Sequence, residues 1–225
     1  MKLVTFQSFD AVKYLFEKGY LECNESKINL AKSGHTYKWV VDEMNKFVIN
    51  DFKISYPIWC WVKCFNNVCP SKRKGEKVKG YDVKITFHKD EKDVFITDFR
   101  RFSFLLNNTY IPDSLDDKNK FNKKLIKHNI TQDELKAYVR SDKYAEHRTD
   151  KEFLRICGEI RESFSKCITK DSDILQGCVW RVYLKDIENI EILKDDGYIY
   201  GSINYIRSNG ERMNWIEDYY RKIED

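Results

Sequence analysis

Residues 81–88 have the sequence YDVKITFH, and they predict the fold class more clearly than any other stretch of the chain. Apolar and polar side chains alternate along it, which is the period of two expected of a half-buried β-strand. Residues 56–62, YPIWCWV, carry apolar side chains on both faces of any extended conformation. This second pattern predicts a strand covered on both sides, which we place at the centre of a sheet.

Helical patterns surround these two strands. A strand over residues 3–6 precedes a helix that Ser8 caps and Gly19 ends, and a capping box pairs Thr131 with Glu134. Because helices and strands are mixed without strict βαβ alternation, the chain is predicted to be α+β. Three further helices are predicted over residues 35–48, 98–107 and 212–223, and another begins at a capping box of Thr149 and Glu152. Further strands are predicted over 178–184, 190–193 and 198–206. Residues 112–129 are predicted to be a polar connection or a loosely helical insert.

The chain shows no sign of division by a linker. It has no Pro/Ser-rich segment and no internal repeat of solenoid or propeller period. We therefore predict a single α+β domain over residues 1–194. Residues 195–225 are predicted to be a C-terminal extension packed on the same domain.

The composition limits the class of protein. The 225 residues include 40 Lys plus Arg and 36 Asp plus Glu, a net charge of +4, with only 9 Gly and 3 Pro. These values exclude a collagenous or strongly disordered chain and argue against wholesale coating of nucleic acid. The N-terminus lacks a signal-like apolar stretch, and no segment approaches the roughly 20 apolar residues of a membrane span. The Cys count of 7 is odd and follows no disulfide-type spacing, so we expect a protein of the reducing cytoplasm with no membrane partner.

Cysteine spacing offers a weak metal signal. Cys60, Cys64 and Cys69 lie close together, but they lack the paired C-x-x-C arrangement of structural zinc sites. Buried apolar cysteines are the favoured interpretation, and no metal is expected. The chain also lacks a Gly-rich phosphate loop, a G-x-S-x-G elbow and an H-E-x-x-H helix, so several large enzyme classes lose their usual support.

Two further features could bind a ligand. Lys72, Arg73 and Lys74 belong to the most basic stretch, which could contact nucleic-acid phosphates, although a solvated loop is the favoured interpretation. Aromatic residues on both faces of the strands exceed what one core face needs. Some of them could line a cleft that stacks a planar ligand, with core packing as the favoured alternative. These aromatic residues include Trp59, Trp61, Trp180 and Tyr183.

Four short runs resemble a known family: LVTFQ (3–7), YPIWCW (56–61), TDF (97–99) and LNN (106–108). They are similar to the bacterial family catalogued as domain of unknown function 3841. The resemblance covers roughly residues 1–193, and the Tyr-Pro-Ile-Trp-x-Trp run is its most specific part. That family has no settled function, so its name alone implies little chemistry.

A more distant resemblance is to the DarT-type ADP-ribosyltransferases. It lies in the strand-helix-Gly-Leu order of residues 3–21, the aromatic strand after Tyr56, and the sequence QGCV at 176–179. The resemblance implies a mixed or antiparallel split β-sheet with flanking helices, whose cleft holds NAD for reaction with an acceptor such as nucleic acid. The residues that it implies for NAD contact are Thr5, Gln7, Trp59, Trp61 and Trp180, with Gln176 as the catalytic candidate.

The expected catalytic acid is replaced in this chain. In the DarT-type transferases the last element carries Gln-Ala-Glu, and its Glu assists attack on the nicotinamide ribose. Cys178 stands at that position here, and a thiol of ordinary pKa replaces a carboxylate poorly. Three interpretations stay open: another carboxylate supplies the acid, Gln176 orients a ribose hydroxyl for altered chemistry, or the cleft binds without catalysing. The alternative carboxylates are Asp171, Asp173, Glu188 and Glu191.

The sequence therefore supports functions of different classes. The first is NAD-dependent transfer of ADP-ribose to a nucleic acid or protein. The second is a non-catalytic nucleotide- or nucleic-acid-binding protein that uses the same cleft. The third is a defence-associated or other accessory protein whose aromatic residues only fill the core.

Overall fold

A computed structural model describes residues 1–28, 30–63, 82–140, 150–193 and 199–203 of the chain. The architecture is α+β, as predicted. In chain order the elements are β1 (Lys2–Gln7), α1 (Phe9–Lys18), β2 (Tyr20–Leu21), α2 (Leu30–Phe47), β3 (Ile58–Lys63), β4 (Val83–His88), β5 (Phe95–Asp98), α3 (Phe99–Leu106), α4 (Leu115–Lys127), α5 (Gln132–Arg140), α6 (Lys151–Ser163), β6 (Leu175–Val179), β7 (Val182–Tyr183), β8 (Ile187–Leu193) and β9 (Ile199–Ile203).

The chain forms two compact units, which are described separately. Unit 1 comprises Met1–Cys23, Pro57–Val94 and Val179–Asp225, and unit 2 comprises Asn24–Tyr56 and Phe95–Cys178. The predicted division into residues 1–194 and 195–225 stays a prediction. Of the extension, the structure describes β9, which pairs with β8 and so confirms extended structure within residues 198–206. The helix predicted over 212–223 lies outside the described residues.

Unit 1 contains five antiparallel strands in the order β3-β1-β4-β8-β9. The alternation predicted for β4 is confirmed except at Thr86: Val83, Ile85 and Phe87 are fully buried and His88 is exposed, but Thr86 is also buried. Leu3 lies opposite Phe87, and Ile85 lies opposite Ile190. Since directly paired residues point to the same side of a sheet, these side chains form one continuous apolar face.

Helix α1 begins and ends as its sequence predicts. The Ser8 hydroxyl oxygen accepts a hydrogen bond from the Ala11 amide, and the Asp82 carboxylate accepts one from the Phe9 amide at 2.9 Å. Gly19 has a φ of 80°, the left-handed conformation that a residue without Cβ adopts at low cost, and its amide donates to the Leu15 carbonyl. These contacts fix the direction of the chain as it leaves β1.

Unit 2 is mainly helical and contains the antiparallel pair β5–β6. The predicted capping box at the start of α5 is confirmed: the Thr131 amide donates to Glu134 at 2.7 Å, and the Glu134 amide donates to the Thr131 hydroxyl at 3.2 Å. Helix α6 differs from its prediction. Asp150 is its cap and accepts from the Glu152 amide, while Thr149 lies outside the described residues.

Two predicted elements are corrected by the structure. The insert predicted over 112–129 contains a regular helix, α4, whose narrow apolar stripe of Phe121 and Leu125 is buried. Ser114 caps it, and its acidic first turn and basic last turn suit the helix dipole. The single strand predicted over 178–184 is two: β6 pairs with β5, the chain bends at Trp180, and β7 pairs with β2. Within the described parts of the chain, no helix is long and apolar enough to cross a membrane.

Candidate functional site

Strand β3 separates its side chains into two classes. Ile58 and Cys60 are buried, each 3% exposed, whereas Trp59 and Trp61 are half-buried. Because successive side chains of a strand point to opposite sides, the two indoles share one side of the sheet. The pattern that predicted a strand covered on both sides therefore has one side that is buried at Ile58 and Cys60 and half-buried at Val62, and one half-buried aromatic side.

The strand register shows which side chains share the side of the indoles. Trp61 pairs with Val4, Val4 with Thr86, and Thr86 with Asn189, which forms one row across four strands. A neighbouring row contains Phe6, Lys84 and Glu191 on the side of Trp59. We call this side of the sheet the tryptophan face. Its exposure is uneven, because both indoles are half-buried whereas Thr86 is only 4% exposed. Its members are Trp59, Trp61, Val4, Phe6, Lys84, Thr86, Asn189 and Glu191.

Charged pairs border the tryptophan face. Lys84 forms an ion pair with Glu191, and Glu188 accepts hydrogen bonds from Lys2 at 2.5 Å and from the His88 ring at 2.6 Å. The hydrogen bond from Lys2, followed by the one from His88, lowers the pKa of Glu188 below its ordinary value. These pairs place cationic and anionic groups on both sides of the row that contains Trp61, Thr86 and Asn189.

The Glu188 pair leads to a pH-dependence prediction. A carboxylate whose pKa is lowered by folding adds stability above its unfolded pKa, and that stability is lost as the pH falls through the folded pKa. We expect Lys2→Met to raise the pKa of Glu188 toward its ordinary value, as measured by carboxyl NMR titration. Lys13→Met is the control, because Lys13 pairs with Glu17 at 4.0 Å, and it should leave Glu188 unchanged. An unchanged Glu188 pKa in Lys2→Met would refute the assigned cause.

A β-bulge shapes the β8 side of the tryptophan face. Thr86 pairs with Asn189 and Phe87 with Ile187, so Glu188 is an extra residue on β8. The side-chain Oδ1 of Asn189 is buried, and it is the one buried side-chain polar atom of the described residues without a hydrogen-bond partner. Buried polar atoms are bonded in most native structures, so this atom is unusual.

The orphan oxygen predicts an unusual stability effect. A buried polar atom without a partner costs about 1–3 kcal/mol, so Asn189→Val should raise the free energy of unfolding, by about 1 kcal/mol. Asn189→Asp keeps the shape but adds charge, and it should lower stability. Urea unfolding of both variants measures whether the free energy of unfolding rises or falls in each. Destabilisation by Asn189→Val would show that this oxygen is satisfied in the folded protein.

Thr5 and Gln7 lie on the other side of the same sheet. They alternate with Val4 and Phe6 along β1, so they point to the apolar side. The buried Thr5 hydroxyl donates to the Trp59 carbonyl at 2.8 Å and accepts from the Gln7 amide at 2.9 Å. The structure thus joins Thr5 and Gln7 to the backbone of Trp59, while the indole ring of Trp59 lies on the opposite face.

Trp180 is placed differently from the β3 tryptophans. It is 4% exposed, at the bend before β7. The next residue, Arg181, lies with its guanidinium 4.1 Å from the ring centre of Tyr20 and donates from Nε to Glu22 at 2.6 Å. These contacts indicate that Trp180 packs in the protein interior and does not line an open ligand-binding cleft.

Gln176 belongs to unit 2 and is committed to a local contact. It pairs with Thr97 in the β5–β6 register, and its side-chain amide donates to the Thr97 hydroxyl at 3.2 Å, with both residues buried. Cys178 is only 1% exposed. The nearby Asp98 carboxylate accepts from the Arg101 amide at 2.9 Å and so caps α3. This local geometry offers a buried thiol, not a carboxylate, where the resemblance implies the acid.

The four alternative carboxylates are distributed over the two units. Asp171 and Asp173 are exposed in unit 2. Glu188 and Glu191 lie on or beside the tryptophan face of unit 1, each paired with a lysine. The two glutamates are therefore the ones that accompany aromatic side chains.

The remaining candidates are cysteines and the basic stretch. Among the residues that the structure describes, no group of three His, Cys, Asp or Glu side chains could hold a metal ion. Cys64, Cys69, Lys72, Arg73 and Lys74 lie outside the described residues. Burial raises the pKa of the Cys167 thiol to about 12, with a further contribution from Asp98, so this thiol is not an activated nucleophile.

Comparison with known proteins gives one match. Residues 2–188 match the family described as a domain of unknown function, DUF3841. The chain belongs to this family. The match extends over β1 to the start of β8 and so includes both tryptophans of β3. No curated protein and no solved structure matches the chain.

Sequence reasoning missed the polar half of the tryptophan face. It singled out the indoles and weighed Glu191 as an alternative acid, but it gave no role to Asn189. Alternation within residues 187–193 could have indicated a strand, yet the bulge at Glu188 depends on the register with β4. No local signal predicts that register.

Proposed function

We propose that the chain binds a nucleotide on the tryptophan face, with Trp61 stacked on a planar ring of the ligand and Trp59 beside it. The observation that supports this most is the placement of two half-buried tryptophans on one side of an antiparallel sheet. Aromatic side chains on a sheet surface are a recurrent platform for bases, because every base has a π-face. The sheet holds the rings in fixed positions, which reduces the entropy lost on binding.

Charged neighbours extend the proposal to the rest of the nucleotide. Lys84 lies in the row beside Trp59, and Lys2 and His88 lie at the border. Cationic groups near a stacked base suit a phosphate. Nucleic acid is a second form of the same ligand chemistry, and a contribution from Lys72, Arg73 and Lys74 stays a prediction.

NAD is the first ligand to test, because the resemblance to DarT-type transferases implies it. Calorimetric titration of the full chain with NAD, and with single-stranded DNA and RNA, measures the binding directly. Saturable binding that weakens in Trp61→Ala supports the proposal. A wild-type chain that binds neither NAD nor nucleic acid contradicts it.

We propose binding without transfer of ADP-ribose as the main activity. Two observations support binding over catalysis: the Cys178 thiol is buried, and the Gln176 side-chain amide donates a hydrogen bond to the Thr97 hydroxyl. Incubation with labelled NAD and mixed nucleic-acid and protein acceptors tests the enzymatic alternative. Label transfer or nicotinamide release that Gln176→Ala abolishes would establish the transferase and overturn the non-catalytic proposal.

The cellular location is part of the same proposal. The cysteine count of 7 is odd and follows no spacing typical of disulfide-stapled domains. Such a cysteine pattern is usual in a reducing compartment, which supports a place in the cytoplasm.

A further inference from the structure

We propose that helix α4 binds the phosphate backbone of double-stranded nucleic acid through lysines on its outer side. Every residue that carries this proposal belongs to unit 2, so it stands independently of nucleotide binding at the tryptophan face of unit 1. It is carried by the charge of the helix, by the side of the helix on which the lysines lie, and by the partners of the neighbouring acids.

The charge of α4 is concentrated in its later turns. Residues 118–130 contain five lysines and no Asp or Glu. Both acids of the helix, Asp116 and Asp117, lie in its first turn. The Asp117 carboxylate is already occupied, since it accepts hydrogen bonds from the Asp113 amide at 2.9 Å and from the Tyr110 hydroxyl at 3.2 Å. The positive charge of the later turns therefore exceeds what the acids of the helix can balance.

Three of the lysines share the outer side of α4. Phe121 and Leu125 are the buried residues of the helix, and Lys123 lies midway between them in sequence, which places it on the opposite side of the axis. Lys120 and Lys127 are also exposed, and at 3.6 residues per turn they lie within about 60° of Lys123 around the axis. We call Lys120, Lys123 and Lys127 the lysine face.

Two acids of α6 contact α4, and both are already paired. Glu159 accepts a hydrogen bond from Lys124 at 2.6 Å, and Glu152 contacts the His128 ring at 3.1 Å. Arg155 forms ion pairs with both glutamates. Because Lys124 and Arg155 alone match the two carboxylates, these acids add no negative charge that could balance the lysine face.

The lysine face itself is poorly paired. Lys123 and Lys127 form no ion pair with any residue that the structure describes. Lys120 pairs with Asp116 at 2.7 Å, but the two side chains are 75% and 74% exposed, and such surface pairs are weak. Lys123 and Lys127 are four residues apart, so their charges repel each other along the helix. The helix dipole favours a cation in the last turn, but it does not account for Lys120 and Lys123, whereas an anionic partner would relieve the repulsion.

An extended array of phosphates fits the lysine face. From Lys120 to Lys127 the helix rises about 10 Å, and a DNA duplex carries one phosphate charge per about 1.7 Å of its axis, so each lysine can reach a phosphate. Phe121 is the aromatic residue of α4 and is buried, so the outer side offers no ring for the base stacking of single-strand sites. The exposed apolar residues Leu115 and Ile126 are about 16 Å apart along the axis, too far for the continuous apolar stripe of a membrane-bound helix. A double helix is therefore the favoured ligand.

The test is fluorescence anisotropy of a short labelled DNA duplex of mixed sequence, titrated with the full chain between about 50 and 200 mM salt. Wild type should bind, and Lys123→Gln/Lys127→Gln should bind about tenfold more weakly at the lower salt concentration. Each lost phosphate contact reduces the slope of log affinity against log salt by about 0.9, so the slope of this double variant should be shallower by about 1.8.

Lys38→Gln/Lys46→Gln is the matched control. It removes the same charge from exposed positions of α2, where each lysine pairs with an acid, and it should keep the affinity and the salt slope of wild type. Trp61→Ala should also bind the duplex as wild type does, because Trp61 belongs to unit 1. Urea unfolding of each variant shows that it is folded.

Three results would overturn the proposal. A wild-type chain that does not bind the duplex, or equal affinities in the two double variants, overturns the role of α4. Tighter binding of the single strand than of the duplex overturns the choice of a double helix. Binding to vesicles of phosphatidylcholine and phosphatidylserine in equal amounts, without binding to the duplex, identifies an anionic membrane as the partner instead.

Discussion

Phe87→Ala is expected to lower the free energy of unfolding by about 3–5 kcal/mol, because truncation of a buried Phe removes apolar contacts and leaves a cavity. Phe87 is fully buried in β4, where it pairs with Leu3 on one side and with Ile187 on the other. Such a loss is a large share of the stability of an ordinary domain. Equilibrium unfolding in urea, followed by circular dichroism, measures it.

His88→Ala is the matched control for Phe87→Ala. His88 is the next residue of β4, but it is exposed on the other side of the sheet and bonds to Glu188 at 2.6 Å. Exposed ion pairs contribute about 0–1 kcal/mol, so its loss should be small. Equal effects of the two substitutions would contradict the assignment of the apolar face.

Trp61→Ala is expected to weaken nucleotide binding more than any other single substitution on the tryptophan face. Removal of a stacking aromatic residue costs about 1–3 kcal/mol of binding free energy, or roughly 5- to 150-fold in dissociation constant. Trp61 is half-buried and lies in the row that ends at Asn189. The dissociation constant for NAD, measured by calorimetry, reports the change.

Two variants control for loss of packing by Trp61→Ala. Trp61→Phe keeps an aromatic ring and should recover most of the affinity. Trp39→Phe alters a tryptophan of unit 2 that packs near Phe95 and Phe164, and it should leave the affinity unchanged. The stacking account fails if Trp61→Phe binds NAD as weakly as Trp61→Ala does. It also fails if Trp39→Phe binds NAD more weakly than Trp61→Ala does.

Local sequence patterns predicted most elements of the fold. The Ser8 and Gly19 caps and the Thr131 capping box depend on nearby residues, and each is confirmed. The alternation in β4 is confirmed except at Thr86, which is buried because of its place in the sheet. The sequence predicts only an insert where α4 lies, since this helix buries just Phe121 and Leu125 of its thirteen residues. A narrow apolar stripe gives a weak helical period even when the caps are good.

The candidate site was harder to predict than the fold. The indoles of Trp59 and Trp61 are visible in the sequence, and alternation alone places them on one side of a strand. The DarT-type resemblance grouped Thr5 and Gln7 with the indoles, but their odd positions in β1 put them on the apolar side. Asn189 joins the indoles only through the pairing of four strands, which is long-range information.

The most direct test of nucleotide binding on the tryptophan face is an NMR titration of the indole N–H signals of the five tryptophans with NAD. Single Trp→Phe variants assign each signal. We predict that the signals of Trp59 and Trp61 shift together and saturably, while the signal of Trp39 stays in place. Saturation with NAD that leaves Trp59 and Trp61 unmoved, or no response from any tryptophan, would contradict the account.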